Sequence, residues 1–135
     1  MKRTLTALTV AATSIIASGA SAFDASHVKR LKETKVCIEC DLSRADLSGL
    51  DLEGTNLSLS NLSKAKLTNA VLTGADLSGA ELAKTILSMT HLGGANLGGA
   101  ILARANLGGS MLLGADLSFA YMNGAILCNT TMPDG

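Results

Sequence analysis

The sequence predicts an all-β solenoid, a rod wound from short sides, and two observations carry that prediction. The first is a leucine every five residues. From Leu42 to Leu127 there are 18 such positions, and 17 of them are leucine, Met122 being the exception. The second is a small residue two places before each leucine as the rule, alanine in 11 cases, among them Ala45, Ala65, Ala70 and Ala75. A period of five suits neither regular element. On an α-helix five residues advance about 500°, so the leucines would step around the axis and form no stripe. On a flat strand an odd period would send them alternately to opposite faces. The pattern becomes coherent when each five-residue unit is one side of a coil and the chain turns a corner between units. Leucine and the small residue then point inward, the other three positions face water, and stacked coils pair backbone groups along the axis.

Units such as Ala45-Asp46-Leu47-Ser48-Gly49, Ala75-Asp76-Leu77-Ser78-Gly79 and Ala95-Asn96-Leu97-Gly98-Gly99 resemble the pentapeptide-repeat family, with consensus A-(D/N)-L-x-x. The resemblance covers residues 40–129. It implies a right-handed quadrilateral β-helix with four units per coil, hence four and a half coils and a rod roughly 22 Å long at strand spacing. No Phe stands at the central position here, unlike in many members, so the core is expected to be slim and aliphatic.

Residues 1–22 read as a secretory signal peptide. Lys2 and Arg3 make a basic start, Leu5 to Ala17 an apolar run, and Ala20-Ser21-Ala22 supplies small residues for cleavage before Phe23. An uncleaved anchor would want about 20 apolar residues, and this run is shorter. The mature chain is then expected to be periplasmic or secreted, to have no membrane span, and to form one domain.

Residues 23–39 form a predicted cap and linker. Asp24 or Ser26 can start a helix in which Val28 and Leu31 lie three apart among charged residues, an arrangement suited to covering the open first coil. The run from Leu31 through Cys37-x-x-Cys40 into Asp41-Leu42-Ser43 also resembles the entry of a secreted subgroup of the family. In an oxidising compartment Cys37 and Cys40 are candidates for a disulfide. Free or regulatory thiols, metal binding and redox exchange stay open as alternatives. Each of the active ones lacks a part: exchange usually sits beside a βαβ unit, haem attachment needs His where Asp41 stands, and zinc needs four ligands with only His27 nearby. Cys128 lies more than four coils from the pair and reads as a free or intermolecular thiol.

Across 40–129, residues twenty apart stack into columns. Arg44, Lys64, Lys84 and Arg104 make a basic column. Asp41, Asp46 and Glu81 flank it, and no aromatics interleave for base stacking, which argues against nucleic acid. It reads as a charged edge that keeps strands from pairing side by side. Asn56, Asp76, Asn96 and Asp116 form a turn-bonding column. Gly54, Gly74, Gly94 and Gly114 form a corner that needs positive φ. In the last coils Ile101, Met111, Leu113, Phe119, Tyr121 and Ile126 occupy outward positions and, with Cys128, are candidate partner contacts. Residues 130–135 read as a tail. The absence of a cap after Leu127 adds the expectation of a homodimer meeting through the C-terminal end.

The chain is formally neutral, with 11 basic and 11 acidic residues, which disfavours a generic polyanion-binding surface. No catalytic set is legible. His27 and His91 are far apart, the serines follow the repeat without a base beside them, and the glycines follow the period of five rather than opening a helix. No cofactor is expected. The reading is a non-enzymatic scaffold or protein-interaction module with an unknown protein partner. The alternatives are a DNA-mimic protein that binds type II topoisomerases, as some family members do, and a thiol-redox protein using Cys37 and Cys40.

Overall fold

A corner every five residues is what turns the leucine period into a coil. In the computed structural model, which describes residues 23–135, every unit closes with a tight turn. Ala45 N–H donates to the Leu42 carbonyl at 3.1 Å, and Arg44, third in that turn, has φ 63°. A positive φ there with an i to i+3 hydrogen bond is the signature of a type II turn. The same position has positive φ in every unit from Glu39 to Asn129. All four corners therefore need it, not only the all-glycine one. Arg44, Lys64 and Leu59 hold a conformation that costs an L-residue roughly 1–2 kcal/mol.

Four corners return the chain above its start, and each residue before a central leucine bridges the one twenty places on, in parallel. Asp41 pairs with Asn61, Asn61 with Glu81, Glu81 with Ile101 and Ile101 with Tyr121. The coils run 35–54, 55–74, 75–94, 95–114 and 115–134, a rod about 24 Å long at strand spacing. We number its sides by their central residues: side 1 holds Leu42 to Met122, side 2 Leu47 to Leu127, side 3 Leu52 to Met132, and side 4 Cys37 to Leu117.

The coil is longer at both ends than the repeat read from leucines. Val36 bridges Asn56, and Cys37 takes the first inward central position. Thr131 bridges Met111, and Gly114 N–H donates to the Pro133 carbonyl at 2.8 Å. Residues 130–135 thus continue the last coil instead of forming a tail. A leucine count misses both units because Cys37 and Met132 stand in leucine's place.

Inside, one leucine per side is stacked on the next, and Leu42 to Leu112 are fully buried or nearly so. Five inward positions, two before the leucine, hold buried hydroxyls (Thr55, Ser60, Thr85, Thr90 and Ser110), and each donates to a carbonyl. Thr85 and Thr90 donate across coils to the Leu62 and Leu67 carbonyls at 2.7 and 2.8 Å. Thr55 and Ser60 donate within their own turns. Outward, the Asp or Asn before the leucine accepts the N–H two residues on, as Asn56 does from Ser58 at 3.0 Å. That bond fixes the corner from outside.

Helix α1, Ala25–Thr34, closes the first coil. Asp24 is its N-cap, accepting the Ser26 N–H at 2.9 Å, and Lys35 ends it in the left-handed region. Leu31 is fully buried on the coil's mouth, with Phe23, Val28 and Leu50 packed against the core beside it. Among the described residues no helix is long and apolar enough to cross a membrane. The leader and its cleavage point before Phe23 lie outside the described residues.

Candidate functional site

The first coil leaves N–H and C=O groups that have no coil before them, and α1 supplies their partners. His27 Nδ1 accepts the Asp41 N–H at 2.9 Å, and Asp24 N–H donates to the Asp41 carbonyl at 3.2 Å. The Arg30 guanidinium donates to the Val36 and Ile38 carbonyls, each at 3.3 Å. Lys35 Nζ reaches the Asp51 carbonyl at 2.7 Å. Sequence reasoning expected an apolar lid of Val28 and Leu31 and missed this polar half. Nothing in the one-dimensional pattern says which edge group a helix side chain will reach.

Cys37 and Cys40 are joined to each other, with Cα atoms 5.4 Å apart, and both are buried, at 0% and 1% exposure. They occupy two inward positions of the first coil directly under α1, where Cys37 Sγ lies 3.3 Å from the His27 carbonyl oxygen. Thiol exchange requires an attacking thiolate to reach a sulfur, and α1 covers that approach. His27, weighed as a zinc ligand beside this pair, uses Nδ1 on the Asp41 N–H and has Nε2 3.7 Å from the Asp24 carboxylate. Cys128 stands apart and exposed on side 2. His91, exposed on side 3, bridges Val71 and Met111.

Arg44, Lys64, Lys84 and Arg104 stack on the corner that closes side 1, all exposed, with φ between 59° and 63°. Their role as guards against side-by-side strand pairing does not survive the structure. Ladder bonds run along the rod axis, as from Leu62 N–H to the Glu81 carbonyl and from Asn61 N–H to the Cys40 carbonyl, each at 2.8 Å. The sheet edges are therefore the ends of the rod, and its sides have no edge to guard.

The apolar candidates are all exposed, but the structure does not bring them into one patch. Ile101 and Tyr121 lie on side 1, Ile126 and Cys128 on side 2, Met111 and Leu113 on side 3, and Phe119 at the corner of side 4. They form a girdle facing sideways, so an end-to-end partner would not cover them. This corrects the basis for a C-terminal homodimer. What the last coil does present along the axis is its inward row, with Leu127 40% exposed. Val36, Ile38, Leu59, Ile86 and Met89 are also exposed, outward apolar residues that the sequence reading left out of its contact candidates. Leu59 leans onto the next coil's corner, its Cδ2 only 2.8 Å from where a Cβ on Gly79 would sit. Phe119 holds the same corner position two coils on from Gly79 and is 97% exposed.

Three carboxyls depart from their ordinary values, all downward. Hydrogen bonds from the serine two residues on, hydroxyl first and backbone N–H second, hold Asp24, Asp46 and Asp116 low, and Lys66 adds a smaller pull on Asp46. These groups are engaged as turn acceptors.

The comparisons agree with this geometry. A profile described as pentapeptide repeats matches residues 40–79, 60–99 and 90–129, with eight copies. Among solved structures, HetL, a pentapeptide repeat protein involved in heterocyst differentiation regulation from the cyanobacterium Nostoc sp., is 36% identical with a TM-score of 0.69, over 74% of this chain and 48% of that one. A pentapeptide repeat protein from the Arabidopsis thaliana thylakoid lumen is 32% identical with a TM-score of 0.61, over 63% of this chain and 59% of that one. The chain therefore spans about half the length of the first and three-fifths of the second. No curated protein matches it. No catalytic family is indicated, and the neighbours carry a right-handed β-helix. With four corners per coil, a five-residue unit and a profile match over most of its length, the chain belongs to the pentapeptide-repeat family.

Proposed function

We propose that this protein is an exported, non-enzymatic scaffold whose last two coils dock a protein partner. One observation carries the reading: two outward columns, on sides 1 and 3, turn from polar to apolar along the rod while the backbone beneath them does not change. Beside the side 3 leucines the column reads Glu53, Thr73, Gly93, Leu113. On side 1 it reads Asp41, Asn61, Glu81, Ile101, Tyr121. Corner geometry is the same in every coil, so folding does not call for this change. Exposed apolar surface costs about 25 cal/mol per Å², and a girdle of it around the last two coils marks a contact region. Export is supported by the character of residues 1–22 and by the joined Cys37 and Cys40, the state favoured in an oxidising compartment.

The test is site-specific photo-crosslinking in the native host. A crosslinking residue at Leu113 captures a discrete partner, and one at Glu53, the same column position in the first coil, does not. Equal capture from both positions would reject the docking region. In the same samples the intact mass begins at Phe23. Recovery of full-length protein in the cytosol would reject export and return the topoisomerase-binding alternative.

A further inference from the structure

We propose that side 1 is a self-recognition face, on which two copies pair in parallel about a two-fold axis running along the rod. This goes beyond the partner-docking girdle and concerns a second copy of this chain. Side 1 carries its charge in two separated columns. Before its central leucines stand Asp41, Asn61 and Glu81, and at its closing corner stand Arg44, Lys64, Lys84 and Arg104. Between the columns runs a flat strip that begins with Ser43 and Ser63 and continues as Ala83 and Ala103.

No described carboxylate forms an ion pair with these cations. Among the described residues the ion pair between permanently charged groups joins Lys35 to Asp51 and leaves this column out. Like charges stacked about 4.8 Å apart repel by up to roughly 1 kcal/mol per neighbouring pair in water. Each cation also holds a positive φ that the diagonally opposite corner, Gly54 to Gly114, gives to glycine. The corner thus bears two costs, and the sides have no sheet edge whose protection would explain them. A surface that offers counter-charges at the same repeat relieves the repulsion.

Another stack of coils repeats its charges at that spacing, and side 1 itself supplies acids for two of the four cations, Asp41 and Glu81, and the polar Asn61 for a third. A two-fold axis along the rod keeps coil height and reverses strand direction between the facing sides. Asp41 of one copy then stands opposite Arg44 of the other, Asn61 opposite Lys64, and Glu81 opposite Lys84, each contact occurring twice. A two-fold axis across the rod would instead set Arg44 against Arg104 and Lys64 against Lys84. Charge complementarity selects the parallel pairing. The same pairing covers Ile101 and Tyr121, the apolar residues of this side. The face is one five-residue side wide and five coils tall, small beside a standard interface, so association is weak.

Sedimentation equilibrium tests the proposal on the protein as recovered from cells, up to about millimolar concentration. The wild type forms a concentration-dependent dimer that weakens as salt is added. Lys84→Glu sets two acids face to face and Glu81→Lys two cations, so each variant self-associates about tenfold more weakly or worse. Both replacements already occur at the equivalent unit positions, as Glu39 with φ 56° and as Lys66. An equal mixture of the two variants restores opposite charges at both contacts of the heterodimer, and association returns to within about twofold of wild type. A wild type that stays monomeric overturns the proposal. So does a dimer that neither single variant weakens, which would place the contact elsewhere, or a mixture that associates no better than its components.

Discussion

Nδ1 of His27 accepts the backbone N–H of Asp41 at 2.9 Å, so a helix side chain stands where a preceding coil's carbonyl would otherwise be. Inside the rod the equivalent N–H of Asn61 donates to the Cys40 carbonyl at 2.8 Å. The imidazole therefore ends the ladder by imitating one rung of it. Replacing His27 with Ala leaves a partly buried N–H without that acceptor and is expected to cost about 1–3 kcal/mol. Lys29→Ala, on the exposed surface of α1, is expected within about 0.5 kcal/mol of wild type. Urea denaturation of the two variants checks this, and equal midpoints would deny His27 its capping role.

The register makes a second prediction with one replacement at two neighbouring positions. Leu87 is fully buried and Ile86 is 36% exposed on the adjoining outward position. Leu87→Thr empties part of a leucine layer and buries a hydroxyl, at an expected cost of about 2–5 kcal/mol. Ile86→Thr keeps a β-branched side chain facing water and should change stability by no more than about 0.5 kcal/mol. Thermal melts of the pair read the difference directly. Similar melting temperatures would mean that inward and outward have been exchanged.

Thiol chemistry offers a third. The chain has three cysteines, of which Cys128 alone is exposed and unpaired. A native, unreduced sample treated with an alkylating reagent should gain one label, mapped to Cys128 by mass spectrometry. After denaturation and reduction it should gain three. Mild reductant without denaturant is expected to leave the count at one, because α1 covers the Cys37 and Cys40 sulfurs. Rapid labelling of that pair in the folded protein would revive the thiol-redox alternative.

Acid stability supplies the fourth. Ser26 holds the Asp24 carboxyl below its ordinary value, so the folded state binds this proton less readily than the unfolded one. The contribution is fully present above the unfolded pKa and is lost as pH falls through the folded one. Asp24→Asn keeps an oxygen acceptor at the N-cap but does not titrate there. Its stability is therefore expected to fall less steeply than that of wild type below about pH 4. Asp46 and Asp116 contribute in the same direction and remain in the variant, so the slope is reduced and not abolished. Identical acid limbs for the two proteins would show that the cap does not sense this proton.

The sequence by itself determined the inward and outward register of the rod. Once a corner recurs every five residues, the direction of a side chain depends only on its place in the unit, and Leu87 or Ile86 can be assigned without coordinates. It also marked the apolar change in the last coils and the pairing of Cys37 with Cys40 as a candidate. The tertiary structure alone decided what those features do. The girdle residues fall on four different sides because the coil returns only after twenty residues, so proximity in sequence does not make them one patch. The cysteines are sealed because α1 lies over the first coil. The ladder is capped by His27, Arg30 and Lys35 because the helix lands where they reach its free groups. Local periodicity fixes the direction of each side chain, whereas such contacts depend on where separate elements dock, and a five-residue repeat does not encode that.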